Sequence, residues 1–293
     1  MDTESAKQMG AACSTAFRGG SASHARHRPR AGFVGVLLLA CGVLPLAPSP
    51  AAAGGCPGHP DALGTARVLE LDPKGVRVGK KSFPDTLALG PREVVLTFDD
   101  GPWPKTTSAI LDALKAECVQ ATFFLIGQNA RLRPELVRRE LAEGHTVAHH
   151  TMTHPILSKL PFDAAVKEIE QGMAADDKAA YGASRPVPPV PFFRFPGFAS
   201  TPKLLDYLDA QGIAVFGADL WASDWNVQTP EHQLELVLKR LDAAGGGIVL
   251  FHDTKAQTAA MIPAFLRELK ARGYTIVHVV PKGAVKDARV VGG

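Results

Sequence analysis

From residue 93 onward, short apolar runs alternate with amphipathic stretches. Runs rich in β-branched and aromatic residues occupy 93–98, 119–126, 145–149, 191–195, 213–218, 247–252 and 274–280 and predict seven strands. Between them, Leu234, Val237, Leu238 and Leu241, and again Ile262, Phe265, Leu266 and Leu269, repeat at i, i+3, i+4 and i+7, which marks one buried helix face. Gly144, Gly212 and Gly273 stand just past a helical stretch and just before a strand, where a helix-ending glycine belongs. Strands joined by helical crossovers must pair in parallel. The pattern therefore predicts an α/β fold with one catalytic domain, closed or nearly closed into a barrel of about seven β/α units. Residues 182–191, with four prolines, read as a loop inside that domain. Residues 54–90 read as an N-terminal extension lying on it, 91–282 as the domain, and 283–293 as a tail.

The N-terminal region has a different pattern. A basic stretch ends at Arg30, an apolar run covers 33–46, and Ser49-Pro50-Ala51-Ala52-Ala53 follows. This is the order of a secretory leader, with cleavage expected after Ala53 and an exported, periplasmic or secreted, mature protein. The apolar run is interrupted by Pro45 and falls short of the ~20 residues a spanning helix needs. No stable membrane span is expected once the leader is removed; an uncleaved leader would serve as an anchor. Cys41 falls in the apolar run, leaving Cys56 and Cys118, whose pairing the sequence leaves open.

Composition narrows the class. The chain has 293 residues, 46% hydrophobic and 21% charged, which excludes collagen-like, coiled-coil and wholly disordered proteins. The net charge of +3 is carried by residues 1–53, where five basic side chains face two acidic ones, so the remainder is formally neutral. With no basic stripe there, nucleic acid is not an expected partner.

Ionisable residues gather where the predicted strands end. Asp99-Asp100-Gly101-Pro102 follows the first strand, His150 to His154 the third, Arg194 to Gly197 the fourth, Asp219 to Trp225 the fifth and His252-Asp253 the sixth. Taken singly, Asp-Asp-Gly-Pro is ordinary turn chemistry and a lone histidine an ordinary polar residue. Five such clusters at the carboxyl ends of strands instead describe the face on which barrel enzymes build their sites. Two histidines and a carboxylate suit a divalent ion with open positions, a further carboxylate suits a general base, and a histidine opposite suits a general acid. These parts point to metal-assisted hydrolysis of an amide or ester. A G-x-S-x-G elbow, a P-loop and a dinucleotide fingerprint are all absent from the sequence.

In these motifs the chain resembles the polysaccharide deacetylases of the NodB-homology family, carbohydrate esterase family four. Thr97-Phe98-Asp99-Asp100-Gly101, His150-Thr151-Met152-Thr153-His154, Arg194-Phe195-Pro196-Gly197, Asp224-Trp225 and Ile248-Val249-Leu250-Phe251-His252 appear in the family's order. The resemblance implies a distorted (β/α)7 barrel that removes N-acetyl, or alternatively O-acetyl, groups from a glycan such as chitin oligomers, peptidoglycan or xylan. It implies Asp99 as catalytic base, Asp100, His150 and His154 as ligands of a divalent ion (zinc first, cobalt or another as alternatives), Arg194 as the group that orients the base, His252 as catalytic acid and Asp224 as its tuning carboxylate. Leu250 would line the acetyl pocket and Trp225 wall the site. Gly197 stands where the family often has tyrosine; its N–H can still face an oxyanion, but an aromatic sugar contact is expected to be lost. Two rival readings are an allantoinase-like amide hydrolase on the same barrel and a non-catalytic glycan-binding protein. The complete acid, base and metal set argues against the first. Only three Trp and three Tyr in the chain argue against the aromatic platform of the second.

Overall fold

The structure is a computed structural model that describes Cys56 and residues 59–284. The expected leader, 1–53, with Cys41, and most of the expected tail lie outside the described residues. In chain order the elements are β1 (Thr65–Leu71), β2 (Arg77–Val78), β3 (Glu93–Asp99), α1 (Thr106–Ala116), β4 (Thr122–Leu125), α2 (Gly127–Leu132), α3 (Pro134–Ala142), β5 (Thr146–His149), α4 (Phe162–Tyr181), β6 (Phe192–Phe193), α5 (Pro202–Ala210), β7 (Ala214–Phe216), β8 (Leu220–Trp221), α6 (Pro230–Ala244), β9 (Gly247–His252), α7 (Ala256–Ala271) and β10 (Thr275–Pro281). Every ladder is parallel. The order β9–β3–β4–β5–β6–β7 forms the barrel wall, with β8 beside β9 and β10 pairing the start of β3.

The strand period of two sorts side chains into two layers. Along β3, Val94, Leu96 and Phe98 join the core shared with the helices, packing with Ile110, Leu111, Phe265 and Leu269. Val95 faces the barrel interior with Phe124, Ala148, Phe192, Phe216 and Ile248. Thr97 and Asp99, two and four residues on from Val95, therefore also point inward, toward the carboxyl end. The alternation that builds the core thus delivers a carboxylate to the barrel mouth.

Two regions differ from the sequence reading. The stretch 54–90, expected to lie on the domain, contributes two strands of the same sheet: β1 runs alongside β10 and β2 alongside β7. Among the described residues no ladder joins β7 to β8; the chain after β2 fills that place. The Lys81 N–H donates to the Ala218 carbonyl, while Asp219 accepts from the Lys80 N–H, the Thr86 hydroxyl and the Ile248 N–H. Asp219 is thus the seam between the extension and β9. The fourth expected strand, 191–195, shrinks to the two residues of β6 because Arg194 and Phe195 already turn into the site. The loop at 182–191 is as expected.

A disulfide joins Cys56 to Cys118, with Cα atoms 5.5 Å apart, and ties the start of the extension to the turn after α1. No described helix is long and apolar enough to cross a membrane.

Candidate active site

The five sequence clusters converge on one cleft of about 370 Å³ at the carboxyl end of the barrel. Asp99, His150, His154, Gly197, Trp225, Leu250 and His252 all line it. Of the remaining expected residues, Asp100 sits on the ligand side, and Arg194 and Asp224 lie buried behind the lining.

Asp100, His150 and His154 bring one donor atom each within 4.8 Å of one another. The Asp100 Oδ1 lies 3.6 Å from His150 Nε2 and 3.3 Å from His154 Nε2. That oxygen is buried and accepts no hydrogen bond, an unfavourable state for a carboxylate unless a cation completes it. His150 Nδ1 is held 2.7 Å from the Arg194 carbonyl, which fixes a proton on that nitrogen and leaves the Nε2 lone pair facing Asp100. Burial pushes the His150 imidazole down to about 3, so it stays neutral, as a ligand must. Backbone conformation supports the same reading. Asp100, Thr151 and His154 adopt φ of 77°, 70° and 63°, a left-handed region costing a non-glycine residue ~1–2 kcal/mol. The surrounding bonds hold these loops in place: Asn129 Nδ2 donates to the Asp100 carbonyl at 2.8 Å, and the His154 N–H donates to Thr151 Oγ1 at 3.0 Å. The residues present therefore fit a divalent cation.

Asp99 lies beside this set, its Oδ2 3.8 Å from His150 Nε2. Arg194, fully buried, donates from Nη1 to Asp99 Oδ1 at 2.6 Å and to Thr97 Oγ1 at 2.9 Å, and from Nη2 to the Gly217 carbonyl at 2.8 Å. Its guanidinium also lies 4.2 Å from the Phe124 ring centroid. Burial is the larger effect and raises the Asp99 carboxyl above its ordinary range, with Arg194, His252 and His154 pulling the other way.

Across the cleft, Asp224 grips His252 twice: Oδ1 is 2.7 Å from Nδ1, and Oδ2 accepts the His252 N–H at 2.7 Å. Thr258 donates a third bond to Asp224 Oδ2 at 2.8 Å and in turn accepts from Gln233. Burial works against charge on His252, but the hydrogen bond and charge of Asp224, with Asp99 and Asp100 beyond, outweigh it and raise the imidazole to about 9.

The substrate side holds a surprise. Gly197 has φ 58°, a conformation that explains glycine at this position. One residue later, Phe198 places an aromatic ring on the cleft. Phe198 stacks on Trp221 at 6.2 Å, Trp221 meets Trp225 edge-on at 5.7 Å, and Trp225 meets His252 at 6.0 Å. Sequence reasoning missed Phe198 and Trp221; the only signal was that both are aromatic residues within a few positions of a motif. Asp253, which the sequence placed in a strand-end cluster without a role, accepts from Thr107 at 2.5 Å and occupies the space a Cβ on Gly101 would need.

Comparison with known proteins agrees with this geometry. The polysaccharide deacetylase family profile matches residues 87–216. A chitooligosaccharide deacetylase of Rhizobium leguminosarum bv. trifolii is 34% identical over 199 residues, covering 63% of this chain and 89% of the relative. The chain belongs to the polysaccharide deacetylase family. Another relative is the peptidoglycan-N-acetylglucosamine deacetylase PgdA of Listeria monocytogenes, 32% identical over 188 residues and 64% of this chain; the match spans only 38% of that protein. Among solved structures, the Bdellovibrio bacteriovorus peptidoglycan deacetylase Bd3279 superposes with a TM-score of 0.66 at 32% identity, over 75% of this polysaccharide deacetylase chain and 60% of its own.

Proposed function

We propose that this chain is a cation-dependent hydrolase that removes acetyl groups from the amino sugars of a glycan. The observation that carries the reading is the orphaned Asp100 Oδ1 facing two imidazole nitrogens, with Asp99 beside it and the Asp224–His252 pair across the same cleft.

In this reading Asp100, His150 and His154 hold a divalent ion, zinc first. Bound there, the ion supplies Lewis-acid polarisation of the acyl oxygen and lowers the pKa of water at the site. Asp99 takes the proton of the attacking water at its Oδ2, and its raised pKa brings it closer to a working pH, as a general base requires. Arg194 holds Oδ1, so the base presents one fixed oxygen. His252, protonated and with Nδ1 committed to Asp224, offers its Nε2 proton to the departing amine. The Gly197 N–H faces the developing oxyanion, Leu250 closes the acetyl pocket, and Trp225 with Trp221 and Phe198 covers the sugar.

The substrate class follows the relatives, which are named for peptidoglycan and chitooligosaccharide deacetylation. Export fits a cleaved leader at 1–53, and the Cys56–Cys118 disulfide supports an oxidising compartment. The catalytic unit is 91–282, with 54–90 as its N-terminal extension and 283–293 as a tail. Acetate release from chito-oligosaccharides, xylan and peptidoglycan, with and without chelator, tests the reading. Chelator-sensitive release from an N-acetylated glycan supports it, and no release from any of the three overturns it.

A further inference from the structure

A second hollow, of about 470 Å³, opens beside the site on the far side of the Asp99–Asp100 loop and shares no lining residue with the catalytic cleft. Its lining borders the catalytic rim: Pro102 lies two residues past Asp100, Thr254 two past His252, and Asn129 is tied to the Asp100 carbonyl. Its floor is apolar and open. Trp103 is 51% exposed and Leu132 61%, among the few large apolar side chains left uncovered. Its charge is one-sided. Lys105 and Arg133 line it, no acidic residue does, and neither cation takes part in an ion pair among the described residues. Helices α1 and α7 begin on it, each without a side-chain cap or an acidic residue in its first turn, which adds to the positive field.

We propose that this hollow binds the sugar next to the one being deacetylated, and that it selects an anionic unit, an amino sugar carrying an acidic peptide. The sugar's apolar C–H face lies on the Trp103 indole, and the carboxylates of its substituent meet Lys105 and Arg133. A neutral chitin-like chain gains only the first of these contacts. The proposal rests on the deacetylase reading above and deepens it by naming the preferred substrate class.

The test compares N-acetylchitotetraose with a glycan tetrasaccharide of equal length bearing acidic stem peptides. Acetate release gives kcat/KM, and equilibrium dialysis on the Asp99→Asn protein measures binding without turnover. The double variant Lys105→Ala/Arg133→Ala should lose about fivefold in both measurements on the peptide-bearing glycan, roughly what two solvent-facing ion pairs contribute. Chitotetraose should stay within about twofold, and the difference should shrink as ionic strength rises. Trp103→Ala should weaken both tetrasaccharides and leave the monosaccharide N-acetylglucosamine unchanged. For the Lys105→Ala/Arg133→Ala variant, equal losses on both glycans, or none, overturn the proposal. If neither glycan releases acetate, the deacetylase reading fails, while the dialysis result still decides whether the hollow binds the acidic chain.

Discussion

His252 and His149 each set an Nδ1 against an aspartate, at 2.7 Å from Asp224 and 2.9 Å from Asp176, yet their protonation differs. His252 keeps 14% of its side chain open to the cleft and has Asp99 and Asp100 nearby, so its imidazole is raised to about 9 and carries a charge at neutral pH. His149, on the outer face of β5, is 1% exposed, and burial drops it to about 4. Its partner Asp176 is pushed well above the carboxylate range by burial and by Asp177 and Glu140. Burial therefore biases the His149–Asp176 pair toward the neutral form, an acid donating to an imidazole, and the charges around the cleft bias the His252–Asp224 pair toward an ion pair. Separation alone does not set protonation; solvent access and the surrounding charges do. One arrangement suits a structural hydrogen bond, and the other suits the proton donor of the proposed function.

The largest effect that would break this contrast is at the reacting groups. Asp99→Asn and His252→Ala should each lower kcat/KM by about 10²–10⁴ while leaving the protein folded, as judged by circular dichroism. Asp99→Asn should also retain the cation in elemental analysis, since Asp99 is not in the ligand set. Residual activity above about a hundredth for either variant would remove that residue from proton transfer.

A smaller effect separates the two aspartates. As the proposed acid, His252 must be protonated, so on that proposal activity should fall as pH rises through its pKa. Asp224→Asn removes the charge that favours imidazolium and should move that upper limb of the pH profile down toward the ordinary histidine value of ~6.5. Asp176→Asn should leave the profile in place and keep the rate within about threefold.

The smallest effect is on stability. Burial, with Asp177 and Glu140, holds the folded Asp176 carboxyl well above its unfolded range, so stability is fully present below the unfolded carboxylate pKa and is lost as pH rises toward the folded one. Asparagine cannot ionise. The Tm of Asp176→Asn relative to the parent chain should therefore climb as pH rises above about 4. A flat difference would show that Asp176 is charged in the folded protein.

The two pairs also differ in how far the sequence disclosed them. His252 and Asp224 were legible because each sits in a motif at a strand end, where the period of two and the helix-ending glycines fix the register. Strand β3 and strand β9 were legible for the same reason. His149 and Asp176 were not, since nothing local announces that a strand residue will meet a helix residue 27 positions on. Strands β2 and β8, two residues each, are too short to show a period, and Asp219 unites Lys80, Thr86 and Ile248 only in three dimensions. The Phe198–Trp221 stack was hidden for a similar reason: it depends on the left-handed turn at Gly197 and Phe198, which sequence spacing does not encode.

The most direct measurement of the central claim is a ¹⁵N-histidine NMR titration that follows both imidazoles. At pH 7.5, one pH unit above the ordinary histidine value of ~6.5, His252 should show protons on both ring nitrogens and His149 on only one. Across the titration His252 should lose its charge near pH 9, and Asp224→Asn should bring that midpoint down. A wild-type His252 that titrates at or below the ordinary histidine value, or one unmoved by Asp224→Asn, would contradict the account.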